Sequence, residues 1–158
     1  MKSCTIRRAK KEDCETIAAI LYRAFAPYEH QYTTEGFERT VLNAGQLAER
    51  LHEVVTLVAL WEGTIAGTVG MQETASGVYI QSMAVDPAAQ GHGIAFALLN
   101  DIETSARQAG KERLYLSTTP FLLPAIALYE RFGFTIVPDS DHDLAGTPLI
   151  AMEKWLQK

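Results

Sequence analysis

Cysteine is scarce in this chain, and basic charge does not dominate it. Cys4 and Cys14 are the only two cysteines among 158 residues. Their spacing gives neither a disulfide framework nor a metal-ligand set, so both read as buried or half-buried free thiols and no metal is expected. Lys and Arg number 14 against 19 Asp and Glu, a formal net charge of −5. That balance argues against nonspecific nucleic-acid binding, which needs a basic surface. Long apolar runs are missing as well. The longest, Val54 to Trp61, is too short to cross a bilayer and is broken by Thr56, so no membrane partner is expected. The stretch from Met1 to Asp13 lacks the apolar core of a secretory signal, and a cytoplasmic location is the expectation.

Apolar residues, by contrast, make up 47% of the chain, enough for a folded globule. One domain over residues 1–158 is expected, with no internal repeat. Cys4 to Ala9 reads as a strand. Asp13 can cap a helix carrying Ile17, Ile20, Leu21 and Phe25 at helical spacing, which Pro27 should stop. Tyr28 to Tyr32 reads either as a surface connection or as a lid over a pocket. A helical stretch from Thr34 to His52 follows, with an interruption expected near Gly45. Three strands come next, Val54 to Trp61, Thr64 to Glu73 and Val78 to Val85, joined by tight turns. Ile94, Leu98, Leu99, Ile102 and Ala106 form a helix stripe ended by Gly110, and Arg113 to Ser117 is a further strand. That order gives an antiparallel meander followed by a parallel βαβ crossover, hence α/β with a mixed central sheet flanked by helices. A last helix carries Ile126, Tyr129 and Phe132. Two closing strands, Phe134 to Val137 and Leu149 to Trp155, bracket a polar loop from Pro138 to Pro148.

The stretch Met83 to Leu99, M-A-V-D-P-A-A-Q-G-H-G-I-A-F-A-L-L, holds a strand end, a two-glycine loop and a helix start. Free N–H groups at such a start suit an anion, with the positive end of the helix dipole behind them. Two other phosphate motifs fail here. No lysine and hydroxyl follow Gly93, as a P-loop requires. Phe96 stands where a dinucleotide fingerprint needs a third glycine, and Ser117 where it needs an acid. Gly91 and Gly93 would also serve a plain tight loop.

The second informative stretch is Leu128-Tyr129-Glu130-Arg131-Phe132-Gly133-Phe134. Taken with Gln90-Gly91-His92-Gly93-Ile94-Ala95 after Ala84-Val85-Asp86-Pro87, it resembles the GNAT acyltransferase superfamily. Its cofactor loop reads Q/R-x-x-G-x-G/A, and its last helix carries L-Y-E-x-x-G-F. The matches span Met83 to Phe134, and the opening I-R-R-A-K-K-E-D is also typical.

The resemblance implies acetyl-CoA as co-substrate and transfer of its acetyl group to a primary amine, with an N-acetyltransferase fold. Two splayed parallel strands would admit the pantetheine arm beside Met83, Ala84 and Val85. Gln90, Gly91, His92, Gly93, Ile94, Ala95 and Phe96 would hold the diphosphate. The Val85 N–H would meet the thioester oxygen, and Tyr129 would be the general acid for the departing thiolate. Two positions depart from the family pattern: Leu122 replaces a common asparagine, and Ser117 a glutamate that some relatives use as base. Glu73 is a candidate base, with a surface carboxylate as its plain alternative. Tyr28, Tyr32, Tyr79 and His142 are candidate acceptor contacts, while His92 is expected to point to solvent from its loop. Acids at Glu29, Asp139, Asp141 and Asp143 would favour a cationic small amine. A protein N-terminus or lysine as acceptor shares every motif; a non-catalytic acyl-CoA-binding module is the other alternative, favoured by the departures at Leu122 and Ser117 and opposed by Tyr129. Small domains of this family often pair, so a homodimer is among the partners to be tested.

Overall fold

The computed structural model describes residues 4–157. Met1, Lys2, Ser3 and Lys158, at the ends of the domain expected over 1–158, lie outside the described residues. The strands are β1 (Cys4–Arg8), β2 (Val55–Trp61), β3 (Thr64–Thr74), β4 (Gly77–Val85), β5 (Arg113–Thr118), β6 (Thr135–Ile136), β7 (His142–Leu144) and β8 (Thr147–Trp155). The α-helices are α1 (Cys14–Phe25), α2 (Thr34–Thr40), α3 (Ala44–Arg50), α4 (Ile94–Gln108) and α5 (Leu123–Phe132). The sheet runs β1-β2-β3-β4-β5-β8-β6, with β7 paired to β8. Among the described residues only β4 and β5 pair in parallel. The expected meander and βαβ crossover are therefore both present.

The sheet is covered on both faces. On one, Leu98, Leu99 and Ile102 of α4 and Tyr129 and Phe132 of α5 pack with Val69, Val78, Ile80, Leu114 and Leu116. On the other, Ile17, Ile20 and Leu21 of α1 and Leu47 of α3 pack with Val58 and Ala84. Gly67 lets α4 come close: a Cβ there would lie 2.9 Å from Ile94 Cγ2. Because Gly67 is paired with Val85, this approach sets the start of α4 directly beside the end of β4.

Three local details differ from the expectations. The α-helix ends at Phe25, just ahead of Pro27 as expected, but the chain does not leave helical geometry there. It tightens into a 3-10 turn over Ala26–Gln31, which an early proline tolerates. The break between α2 and α3 falls at residues 41–43 and not at Gly45, which lies inside α3. The cause is a capping box: Gln46 N–H donates to Asn43 Oδ1 and Asn43 N–H to Gln46 Oε1, each at 2.9 Å. The polar segment Pro138 to Pro148 is partly a hairpin, β7 against β8, turned by Gly146 N–H donating to Asp143 Oδ2 at 2.8 Å.

The strand that matters most is β4. Its register with β3 shifts between Thr68 and Gly70, because β4 holds one residue more than β3 opposite it, counting Thr68–Gly70 against Gln81–Ala84. Within that bulge, Ser82 takes φ +53. A bulge bends its strand and increases the local twist.

Candidate active site

β4 and β5 pair only from Val78 to Ile80 against Leu114 to Leu116. Beyond that point β4 continues through its bulge to Val85 and β5 to Thr118, with no ladder between them. The two strands thus part, and the side of β4 that faces β5 carries unpaired backbone groups from Gln81 to Val85. A cleft of about 850 Å³ opens there.

One half of the cleft is a cradle at the N-terminus of α4. The first bond of this helix is Ala97 N–H to Gly93 C=O. The N–H groups of Ile94, Ala95 and Phe96 have no acceptor among the described residues, as expected at an uncapped helix start. Gly91 and Gly93 adopt φ +87 and +75, and a Cβ at either would have nothing within 4 Å. Gln90, Gly91, Gly93, Ile94, Ala95 and Phe96 all line the cleft, together with Met83, Ala84 and Val85. His92 does not line it and does not simply point to solvent. Its ring stacks on Trp61 with centroids 4.7 Å apart and planes 18° apart. On the approach to the loop, Asp86 Oδ1 accepts from Ala88 N–H at 3.1 Å and Oδ2 accepts from Arg23 at 2.7 Å. The Arg23 bond holds the Asp86 carboxyl below its ordinary range. This open cradle of free N–H groups and glycine backbone fits a diphosphate. Arg131 on α5 adds a cation to the same cleft.

Tyr129 reaches the cleft from α5 and is 8% exposed. Burial pushes its phenol up to about 12, so it holds its proton through the neutral range. Its hydroxyl makes no hydrogen bond to the described residues. Leu122, in place of an asparagine, is buried and lends the cleft an apolar wall.

The other half lies over the opposite face of the sheet. Tyr28, Tyr32 and Tyr79 all line it. Tyr32 sits edge-on to Phe121 at 4.9 Å and Tyr28 stacks on the same ring at 6.4 Å. Burial also raises Tyr32, to about 12, against the opposing pull of the Thr119 and Thr40 hydroxyls. Thr119 lines the cleft and is 2% exposed.

Ser117 stands where some relatives keep a glutamate, and it contacts His142 at 3.0 Å, Oγ to Nε2. His142 Nδ1 lies 2.6 Å from the Ser140 carbonyl, which can only accept. In the neutral ring the proton therefore sits on Nδ1, and Nε2 presents a lone pair that accepts from Ser117. The roof over this half is tied down by Thr33. Its N–H donates to Thr147 Oγ1 at 2.9 Å and its hydroxyl to the Ala145 carbonyl at 2.8 Å.

Four expected participants lie elsewhere. Glu73 is exposed at the far end of β3, opposite Val78, and does not line the cleft. The divergence of β4 and β5 begins past Ile80 and runs towards Val85, away from Glu73. Glu29, Asp139 and Asp141 are exposed and also lie off the cleft wall. The acid that lines it is Asp143, against three arginines, Arg39, Arg50 and Arg131. The arginines went unnoticed in the sequence because nothing local marks them. No cluster of metal-binding side chains occurs among the described residues, and no helix of the described residues is long and apolar enough to cross a membrane.

A parted parallel strand pair leading into a free helix start is a cleft for an extended ligand that carries an anion at one end. Residues 6–134 match the model of the acetyltransferase (GNAT) family, and the chain belongs to that family as an N-acetyltransferase. It is 30% identical over 147 residues to the uncharacterized N-acetyltransferase YjgM of Escherichia coli, covering 84% of this chain and 83% of that one. It is 39% identical over 80 residues to an IAA acetyltransferase of Azospirillum brasilense, covering 49% of this chain and 52% of that one. The fold is shared with the PaiA N-acetyltransferase of Thermoplasma acidophilum, solved in complex with coenzyme A. The TM-score there is 0.79 at 20% identity, over 97% of this chain and 99% of that one.

Proposed function

We propose that this N-acetyltransferase moves the acetyl group of acetyl-CoA directly to a primary amine of a small molecule. The observation that carries the reading is the continuity of the cleft. The unpaired edge of β4 runs into the free N–H groups of α4, with Tyr129 on one side and the Ser117–His142 pair on the other.

Bound acetyl-CoA supplies an activated acyl group whose carbonyl gains negative charge as the amine attacks. Val85 N–H, on the open edge of β4, is the donor for that charge. An amine of pKa about 10.4 is mostly protonated at neutral pH. His142, with Nε2 kept as an acceptor, takes the proton that the amine must lose, assisted by Ser117. As the new C–N bond forms and the C–S bond breaks, Tyr129 gives its proton to the leaving sulfur. The second proton, which the attacking nitrogen still carries once the C–N bond has formed, leaves to solvent as the amide forms, and the Tyr129 phenolate is reprotonated from solvent. The roof tied by Thr33 and Thr147 favours a small acceptor over a protein chain, because an extended peptide needs an open groove across this half.

The test is release of free CoA thiol from acetyl-CoA across a panel of small primary amines, beside peptides with free N-termini. Acceleration by at least one small amine is expected. Acceleration by the peptides alone would overturn the small-molecule reading. Acetyl-CoA binding without thiol release from any acceptor would overturn transfer itself.

A further inference from the structure

Arg50 ends α3 and lines the acceptor half of the cleft. Its position follows from its contacts. Nη2 donates to Ser82 Oγ at 2.9 Å, and the same atom would lie 3.2 Å from a Cβ on Gly70. Gly70 is paired with Gln81, so the guanidinium lies across β3 and β4 where β4 has just parted from β5. This is the face that α1 and α3 cover. The α4 helix lies on the opposite one, so Arg50 is not placed to hold the diphosphate.

The arginine is half-buried, and burial pulls it below its ordinary value. No carboxylate pairs with it among the described residues. Of the other cleft arginines, Arg39 is exposed and pairs with Glu35 at 2.8 Å, while Arg131 lies on the α5 side. Asp143, the acid on the cleft wall, is engaged by Gly146 N–H. A guanidinium has five N–H donors in a planar fork that matches a carboxylate. Only the bond to Ser82 is made here. A partly desolvated charge with no counter-charge is costly, and a ligand's carboxylate would supply one. Tyr28, Tyr32 and Tyr79 line the space around it.

We infer that the acceptor is an amino acid, a primary amine that also carries a carboxylate, and that the guanidinium of Arg50, held by Ser82, is the carboxylate anchor. This reverses the polarity expected from the acidic residues near the loops. Ser82 lies three residues before Val85, at most roughly 10 Å along the strand and less where the bulge bends it. A carboxylate at Arg50 therefore leaves its amine within reach of the open strand edge.

The inference rests on the reading of this cleft as an amine acceptor site, and the experiment separates the two. The full chain, saturated with CoA, is titrated calorimetrically with each of the twenty proteinogenic amino acids. Any that binds is then compared with its decarboxylated amine, for example phenylalanine with phenethylamine. The expected result is at least tenfold weaker binding of the decarboxylated amine, and loss of that preference in Arg50→Gln. Arg50→Lys, which keeps charge without the fork, should restore part of it. Acetyl-CoA affinity of both variants serves as the check that they fold. Absence of binding by all twenty, equal binding of acid and amine, or a preference that survives Arg50→Gln overturns the anchor. Thiol release in parallel assays judges transfer separately: an Arg50-dependent amino acid that releases no CoA would leave the anchor standing and sink the transfer reading.

Discussion

His92 lies flat against Trp61, so the loop at the head of α4 is fastened to β2, two strands away from the strand that leads into it. The glycines on either side give the loop its shape, and the stacked ring limits its movement.

Trp61→Ala removes that support without touching the cleft wall. An aromatic contact of this kind contributes about 0.5–1.5 kcal/mol, so acetyl-CoA should bind about 2- to 10-fold more weakly. Amine KM should hardly change. Titration of acetyl-CoA into wild type and variant measures it, and equal dissociation constants would show that the stack does not order the loop.

Gly91→Asp brings a carboxylate into a cradle proposed for a diphosphate and forces a side chain onto φ +87. Left-handed backbone costs roughly 1–2 kcal/mol for a residue with a Cβ, and repulsion adds to it. Acetyl-CoA affinity should fall by more than tenfold. An unchanged dissociation constant would place the diphosphate elsewhere.

Tyr129→Phe deletes one hydroxyl from a buried ring whose packing on Phe134, at 5.7 Å, stays possible. A positioned acid contributes on the order of 10²–10⁴ in rate. Turnover should drop by that order while acetyl-CoA binds as before. Because the phenol is raised to about 12, wild-type activity should show no loss from this group up to pH 10. Unchanged turnover with chemistry rate-limiting would remove Tyr129 from the mechanism.

His142→Ala tests the proton acceptor. At pH 7 the loss in kcat/KM should be on the order of 100-fold. It should shrink towards pH 10, where the amine increasingly arrives deprotonated. An equal loss at both pH values would mean that His142 shapes the site without taking the proton.

The buried phenols also set an alkaline limit to stability. Tyr32 and Tyr129 both stand near 12 in the folded chain, whereas tyrosines in an unfolded chain titrate near 10. The unfolded chain therefore binds fewer protons above pH 10, and folded-state stability falls as pH rises from 10 through 12. Melting temperatures followed from pH 8 to 11 should decline less steeply in Tyr32→Phe than in wild type. Parallel curves would exclude Tyr32 as a contributor.

Much of the fold was legible because it was written in short range. The strand ending at Val85, the glycine loop and the Ile94–Leu98–Ile102 stripe adjoin in the chain and adjoin in space. The break before α3 falls just ahead of Gly45 because an amide pair, Asn43 and Gln46, outweighs the glycine beside them. The β7–β8 hairpin escaped notice because His142–Leu144 is polar and only three residues long, leaving no alternation to detect. The half proposed for the cofactor draws its residues from one motif and its spacing. The acceptor half does not, since Arg50 and Ser82 are separated by 32 positions and meet only because β4 bulges. Of the acids along the loops, Glu29, Asp139 and Asp141 stand exposed off the cleft wall while Asp143 lines it, a difference that nothing local in the sequence marks.

The bulge at Ser82 has one more consequence. Before it, Val78 and Ile80 face the α4 side; after it, Met83 and Val85 do, so even positions give way to odd ones. Ser82 acts as a frame shift within a single strand. Deleting it would keep every other residue of β4 yet exchange the faces of Met83, Ala84 and Val85, turning Ala84 towards α4 and the two larger side chains towards α1. One inserted residue thus decides which backbone groups the open edge of this strand presents.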